Sequence, residues 1–257
     1  MKNIWKEKIM RGEKTMGLFI NAGDASTAEI AAMTDMDYAI IDTEHGPFDV
    51  ESAMNMIRVF ELHNSTALVR VKDSNRNSIL KMLDVGAKGL IIPQVHSVEQ
   101  VKEIISYGKY FPIGDRGFAY GRGAGYGHAD HVMQGLNKYT EISNSESLLI
   151  PQCETVGALE HIEEIAQMEG VDGIFIGPFD LSIAMGIPCQ FDQPKFKEAL
   201  VRIREACDKA GKFCMVFCGD ENVAKTRLSE GFKHVTVGCD YGYYYNALNA
   251  AVKDVMG

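Results

Sequence analysis

The sequence has 257 residues, of which 46% are hydrophobic and 24% charged, and its formal net charge is -9. This balance is typical of a globular protein in water, and the length suits a single eight-fold α/β barrel domain over residues 1–257. An acidic chain gains nothing from counterion release on DNA or RNA, so a nucleic-acid partner is excluded from the expectations.

The apolar segments and the cysteines indicate the compartment. No apolar run is long enough to cross a membrane, and the N-terminus is too charged for a signal peptide. The six cysteines lack the paired C-x-x-C spacing of zinc sites, and Cys214 and Cys218 fall within a predicted strand. We therefore expect reduced core thiols and a cytoplasmic protein without membrane contact.

Short apolar runs alternate with longer amphipathic stretches along the whole chain, which predicts eight strand–helix pairs. Ser26 is the expected N-cap of the first helix. In chain order the pairs are 16–20 and 26–34, 38–42 and 49–62, 66–70 and 75–85, 89–93 and 97–107, 148–153 and 156–168, 172–176 and 194–210, 213–217 and 221–230, and 234–237 and 242–255. Eight such units need parallel strands and favour a closed TIM (β/α)8 barrel.

One connection, at residues 108–147, is much longer than the others. It contains the stretch G-D-R-G-F-A-Y-G-R-G-A-G-Y-G-H-A-D-H at 114–131, which is rich in glycine, tyrosine and charge. Long loops inside compact domains are frequently functional, so a role in substrate contact is expected for this stretch.

The active site of a TIM barrel lies at the carboxyl ends of its strands, so polar residues that follow the apolar runs are candidates. Asp42 ends the second predicted strand and His45 follows it, where an imidazole beside carboxylates can serve as a base. The alternative is a simple strand cap with a solvated His45, and His96 is the main rival histidine.

Arg70 ends the third predicted strand. A guanidinium at the barrel mouth can stabilise an enolate oxygen or bind a carboxylate, although a surface ion pair remains the alternative.

The fifth and sixth predicted strands end in acidic residues. Period two places Gln152 and Glu154 on one side of the chain, and Asp180 follows Gly177 after the next strand. Neighbouring parallel strands are about 5 Å apart, so Glu154 and Asp180 can reach one hard cation such as Mg²⁺ or Mn²⁺. The alternatives are a favourable charge at a helix N-terminus for Glu154 and an N-cap for Asp180.

Other chemistries have weaker support in the sequence. An imine-forming aldolase needs a lysine in the pocket, and none ends a strand, Lys72 being the nearest. The G-x-x-x-x-G-K-[ST] and G-x-S-x-G motifs are absent, and G-R-G-A-G-Y-G at 121–127 follows no strand.

At these strand ends the sequence resembles the HpcH/HpaI family of class II pyruvate aldolases, and the match covers nearly the whole chain. The segments that carry it are D-T-E-H-G-P (42–47), V-R (69–70), K-M-L-D-V-G-A (81–87), L-I-I-P (90–93), D-R-G (115–117), P-Q-C-E-T (151–155) and G-V-D-G-I-F-I-G-P-F-D-L-S (170–182). The resemblance implies divalent-metal-dependent cleavage of a 4-hydroxy-2-oxo acid to pyruvate and an aldehyde.

The resemblance also implies a role for each matching residue. Glu154 and Asp180 would bind Mg²⁺ or Mn²⁺, with Co²⁺ a further option, and Arg70 would stabilise the enolate oxygen. The groups that would hold pyruvate or the rest of the substrate are Gln152, Gly177, Pro178, Phe179 and Arg116. His45 would move protons, Asp42 would orient it, and Asp84 would reach a site across a subunit contact.

The family further implies a hexamer built as a trimer of dimers that exchange C-terminal helices, here 242–255. The family often reads R-G-V-G where this chain has Arg116-Gly117-Phe118-Ala119. The aldehyde partner therefore stays open, and a helix C-terminal residue remains the alternative for Asp84. An oxaloacetate-type decarboxylase and a non-catalytic carboxylate-binding barrel are the two competing functions.

Overall fold

The computed structural model describes residues 2–257, and it contains a closed barrel of eight parallel strands in chain order. The strands are β1 Thr15–Ile20, β2 Tyr38–Asp42, β3 Thr66–Arg70, β4 Gly89–Ile92, β5 Leu148–Cys153, β6 Gly173–Ile176, β7 Phe213–Cys218 and β8 His234–Cys239. β1 pairs with both β2 and β8, which closes the sheet. The predicted TIM-barrel fold is confirmed.

Helices surround the barrel and fill its long connection. They are α1 Ile4–Met10, α2 Ala25–Ala32, α3 Val50–Leu62, α4 Arg76–Asp84, α5 Val98–Gly108, α6 Asp130–Met133, α7 Leu136–Glu146, α8 Val156–Glu160, α9 Ile162–Gln167, α10 Pro178–Ala184, α11 Pro194–Ala210, α12 Glu221–Ser229 and α13 Asp240–Met256, with a 3-10 helix at Arg122–Gly127. Within residues 2–257, no helix combines the length and the apolar character that a membrane span requires.

Alternation along the strands divides the apolar side chains between two layers. Ile40 and Leu68 lie inside the barrel with Phe175, whereas Ile41 and Val69 pack outward against the helices. A strand turns successive side chains to opposite faces, so strands covered on both faces read as continuous apolar runs. This is why the apolar runs predicted the strands.

The structure differs from the sequence-based prediction in local details. Asp24, not Ser26, caps α2, because the Asp24 carboxylate accepts hydrogen bonds from the backbone amides of Ser26 and Thr27 at 2.8 and 3.2 Å. The helix predicted at 156–168 is two helices that meet at His161. The connection at 108–147 is partly helical, and α1 was not predicted.

Helix α1 closes the amino end of the barrel with Trp5. The indole Nε1 donates to Thr15 Oγ1 at 2.9 Å, and Thr15 Oγ1 lies 2.8 Å from His234 Nδ1. His234 is buried, and burial, with the charge of Lys233, lowers its pKa to about 4. The neutral ring, with Nδ1 as acceptor, therefore fits this site.

Acidification is expected to destabilise the fold through His234. Because its folded pKa lies below the ordinary value of 6.5, the unfolded state binds more protons, and stability is lost as the pH falls from 6.5 to 4. The loss from this group is about 3 kcal/mol. Urea unfolding across this range should show a correspondingly weaker pH dependence in His234→Gln than in the exposed-histidine control His96→Gln; equal dependence in both variants would contradict the assignment.

Candidate active site

An ion pair joins the carboxyl ends of β2 and β3. The backbone register sets Asp42 opposite Arg70, whose Nε and Nη2 donate to Asp42 Oδ1 and Oδ2 at 2.8 and 2.6 Å. Asp42 is fully buried. Burial alone would raise the pKa of Asp42, but the hydrogen bonds and charge of Arg70 outweigh it and keep this pKa below its usual value. Two parallel bonds hold the guanidinium plane in one orientation.

The structure pairs Asp42 with Arg70 instead of with the imidazole of His45. Asp42 accepts only backbone amides from the following segment, those of Glu44 at 3.1 Å and His45 at 3.4 Å. The His45 side chain is 66% exposed, and its Nε2 lies 3.8 Å from Glu44 Oε2. The expected orientation of His45 by the Asp42 side chain is thus replaced by a contact with Glu44.

Glu44 is a site residue that the sequence analysis did not single out. Its Oε2 lies 3.3 Å from Arg70 Nε, and its side chain is largely buried. Burial raises the pKa of Glu44, the charge of Arg70 opposes this, and the charges of Asp42 and Asp180 add to the rise. The signal available in the sequence was the position of Glu44 in D-T-E-H, between the candidates Asp42 and His45.

Glu154 lies at the end of β5 in a nearly closed environment. Its Oε1 accepts from the backbone amide of Gln94 at 2.8 Å, and its Oε2 accepts from Gln152 Nε2. Glu154 and Gln152 share one face, as the period of a strand predicts. Burial raises the pKa of Glu154 to about 7, and the charges of Asp180 and Glu44 add to the rise.

The loop after β6 approaches Glu154 through a glycine. A Cβ at Gly177 would lie 2.7 Å from both Glu154 Oε2 and Gln152 Nε2, so no larger residue fits without movement. Gly177 is the N-cap of α10, and Pro178 begins the helix, which places Asp180 in its first turn and not at the cap. The first intrahelical bond is donated by Leu181 to Gly177 O, so the amides of Phe179 and Asp180 precede it.

The acidic groups at this rim fit a divalent cation. The charges of Asp180 and Glu44 raise the pKa of Glu154, and the charge of Asp180 also raises the pKa of Glu44, so a cation would relieve the repulsion among these carboxylates. Gln152 Oε1 is buried and lacks a hydrogen-bond partner among residues 2–257. In the same part of the chain no group of three or more His, Cys, Asp or Glu side chains is placed to hold a metal ion, so a cation here would have fewer than three such protein ligands.

Aromatic side chains line the remainder of this rim. The Arg70 guanidinium lies 4.7 Å from the ring centroid of Phe19, and Phe19 packs against Phe217 at 5.7 Å. The partly exposed ring of Phe179 also packs against Phe217, at 6.0 Å. Phe19 and Phe217 were not predicted as site residues, because inside an apolar strand they read as core.

Arg116 and Asp84 lie at the opposite rim of their own barrel. Arg116 Nη2 donates to Asp84 Oδ1 at 3.0 Å at the end of α4, and its guanidinium lies 4.8 Å from the ring centroid of Tyr110. The connection follows α5 and leads into β5, and that junction is at the amino ends of the strands. Arg116 therefore does not reach the Glu154 site of its own chain.

Two further residues from the sequence analysis stand outside the site. His96 is exposed, and its backbone amide donates to Gln100 Oε1 at 2.8 Å. Lys72 is also exposed. His45 is exposed as well, but unlike His96 it lies beside the Arg70 cluster, with Nε2 3.8 Å from Glu44 Oε2.

Fold and site together define a class: a (β/α)8-barrel enzyme with an acidic, cation-fitting cluster and a fixed guanidinium at the carboxyl ends of its strands. A family model described as HpcH/HpaI aldolase/citrate lyase matches residues 15–247. The chain belongs to this family, as the motifs in its sequence indicated.

Individual relatives agree with this assignment over the full length of the chain. A 2-keto-3-deoxy-L-rhamnonate aldolase from Klebsiella pneumoniae subsp. pneumoniae is 32% identical over 251 residues, 97% of this chain and 91% of the relative. An HpcH/HpaI aldolase/citrate lyase family protein from Burkholderia cenocepacia J2315 superposes with a TM-score of 0.91, 26% identity and complete coverage of both chains. The citrate synthase SbnG gives a TM-score of 0.86 at 28% identity, with 98% and 96% of the two chains covered.

Proposed function

We propose that this protein is a carbon–carbon lyase that reversibly cleaves a 4-hydroxy-2-oxo acid to pyruvate and an aldehyde. The observation that carries the proposal is the position of one buried, cation-fitting carboxylate, Glu154, at the same rim as the fixed guanidinium of Arg70. Aldolases of this family generally depend on a divalent metal ion, and relatives at about one-third identity are named aldolases.

Glu154 and Asp180 would hold the metal ion, with Mg²⁺ or Mn²⁺ the best match to two carboxylate ligands and open positions. The ion, when bound, supplies Lewis-acid stabilisation of the carboxylate and keto oxygens of the 2-oxo acid. Gln152 Oε1 would accept a hydrogen bond from a hydroxyl of the substrate, and the backbone amides of Phe179 and Asp180 would donate to the substrate carboxylate. Gly177 leaves the space that this approach requires.

Cleavage requires removal of the proton from the C4 hydroxyl, rupture of the C3–C4 bond and transfer of its electron pair toward the C2 oxygen. Arg70 would stabilise the negative charge on that oxygen through preorganised N–H donors, because Asp42 already fixes the guanidinium. His45, exposed beside Glu44, would exchange protons with the substrate. Protonation of C3 then releases pyruvate.

A panel of 4-hydroxy-2-oxo acids and aldehydes, assayed with pyruvate and Mg²⁺ or Mn²⁺, tests this function. Exchange of the pyruvate methyl protons in D₂O, followed by NMR, reports the enolate without any aldehyde. Both activities should disappear with EDTA and return with metal. Cleavage that survives complete metal removal, or an adduct trapped by borohydride, would contradict the proposal.

Two other functions are separated by the same measurements. An oxaloacetate decarboxylase would show a higher kcat/KM for oxaloacetate than for any hydroxy-oxo acid. A non-catalytic carboxylate-binding barrel would bind pyruvate without methyl-proton exchange.

The assembly we propose is a hexamer built as a trimer of dimers that exchange α13. Large apolar side chains of α13 point into solvent, and Leu248, Val252 and Val255 are 51%, 58% and 81% exposed. A second copy would cover them and would also bring the opposite rim, with Asp84 and Arg116, toward a neighbouring site.

Charges placed on α13 are expected to break this assembly. The double substitution Leu248→Glu with Val252→Glu should lower the mass measured by light scattering and depress cleavage, because apolar burial between copies is lost. Lys253→Glu, an exposed polar position on the same helix, is the matched control. An unchanged mass in the double variant would show that α13 does not join the copies.

A further inference from the structure

A side chain after β1 contacts the Asp42–Arg70 pair from the other side. Asn21 Nδ2 donates a hydrogen bond to Asp42 Oδ2, the same oxygen that accepts from Arg70 Nη2. β1 and β3 flank β2, so the Asp42 carboxylate is held from both neighbouring strands. Asn21 therefore belongs to the contacts that determine where Arg70 points.

The orientation of the Asn21 amide is dictated by Asp42. A carboxylate only accepts hydrogen bonds, so the NH₂ group must face it and Oδ1 must point away. Asn21 Oδ1 is buried and has no hydrogen-bond partner in the described residues 2–257. A buried acceptor without a hydrogen-bond partner costs free energy. The hydrogen bond from Asn21 Nδ2 to Asp42 therefore contributes more than the unpaired Oδ1 costs.

The backbone of Asn21 is fixed independently by the start of α13. Asp240 Oδ1 accepts from Asn21 N at 2.9 Å, and Asp240 Oδ2 accepts from Ala22 N and Gly23 N at 3.1 and 2.7 Å. Asp240 is buried. A continuous set of contacts thus runs from α13 through the loop after β1 to Asp42.

We propose that Asn21 is a positioning residue that holds Asp42, and through it Arg70, in the orientation needed to stabilise the enolate. This inference rests on the proposed lyase function. Without Asn21 Nδ2, Asp42 Oδ2 loses one of its two side-chain donors, and the bidentate contact with Arg70 loosens. A small misplacement of a transition-state donor is enough to slow a reaction strongly.

Asn21→Ala should lower kcat by about ten-fold or more with little change in KM, since the lost alignment matters in the transition state. The pKa of Asp42 should also rise, because a donor to its charged form is removed. NMR titration of the Asp42 carboxyl carbon measures that shift without any substrate. Asn137→Ala, an exposed asparagine on α7, is the control and should leave both quantities unchanged.

Asn21→Asp keeps the shape but replaces the donor with a carboxyl. At low pH the new carboxyl is protonated and can donate to Asp42, whereas at higher pH the two like charges repel. Activity of this variant should therefore fall as pH rises, relative to the parent protein. The charged and titratable groups around this point are Asp42 at the end of β2, Glu44 after it, Arg70 on β3, Cys239 on β8, and Asp240 and Tyr241 on α13.

The outcomes separate the inference from the proposed function. A parent protein with neither proton exchange nor cleavage contradicts the function, while the Asp42 titration still tests the contact. An unshifted Asp42 titration in Asn21→Ala, or parent-like kcat in an active enzyme, overturns the inference. If Asn21→Ala does not fold, a pH profile of Asn21→Asp that parallels the parent overturns it as well.

Discussion

Replacing Arg70 with alanine is expected to lower kcat for cleavage by about 10²–10³-fold, with a smaller change in metal affinity. The guanidinium lies at the rim in a fixed orientation, and its loss removes donors that meet charge only as the enolate forms. Steady-state kinetics and calorimetric titration with Mn²⁺ measure the two effects separately. An equal loss of kcat and of metal affinity would contradict the enolate role.

Two further variants sharpen this experiment. Arg70→Lys keeps the charge but cannot make two parallel bonds to Asp42, so it should recover only part of the lost kcat. Arg202→Ala removes an exposed arginine that pairs with Glu163 on the outside of the barrel, and it should leave kcat unchanged. Because Arg70→Ala also leaves Asp42 buried without its cation, a stability loss of about 3–5 kcal/mol is expected, and folding must be checked by circular dichroism.

Replacing Glu154 with glutamine is expected to abolish metal-dependent cleavage. The substitution keeps the shape but removes the charge that, with Asp180, would hold the cation. Calorimetric titration with Mn²⁺ should show the loss of binding directly. Glu163→Gln, at an exposed glutamate paired with Arg202, is the matched control. Full activity in Glu154→Gln would exclude Glu154 as a metal ligand.

Without metal and above pH 7, the Glu154→Gln variant should have a higher free energy of unfolding than the parent protein. The folded-state pKa of Glu154, about 7, lies above its ordinary 4.5, so ionisation disfavours the folded state. That cost is about 3 kcal/mol above pH 7 and vanishes as pH falls toward 4.5. Urea unfolding in EDTA at pH 8 and pH 5 measures it, and a gain in stability of equal size at both pH values would argue against this cause.

Much of the barrel was predictable because strand periodicity is local. Strands at 38–42, 66–70 and 148–153 and the helix at 194–210 have the predicted bounds, since each is a clear apolar run or amphipathic stretch between turn residues. Other bounds could not be predicted where neighbouring residues suit the same position or where the pattern shows no break. Asp24 and Ser26 are both good N-caps, and nothing in the 156–168 pattern marked the break at His161.

The candidate site was predictable as a set of strand ends but not as a set of contacts. Arg70, Glu154 and Asp180 were identified because polar residues after buried strands gather at one rim. Glu44 and Asn21 were missed, since a polar residue in a loop carries no local sign of its partner. The order of the elements already implied that Arg116 lies away from the Glu154 site of its own chain. The long connection that contains Arg116 joins α5 to β5, and this junction is at the amino ends of the strands.

The sequence by itself determined the barrel, the family and the residues that end each strand, because these depend on patterns within a few residues. Only the tertiary structure decided which side chains pair. Asp42 meets Arg70, 28 positions away, instead of nearby His45, and Asp240 holds the loop after β1 across 219 positions. Closure of the barrel and the register of its strands bring these residues together. Hydrogen bonds between neighbouring strand ends therefore depend on that geometry and not on the separation along the chain.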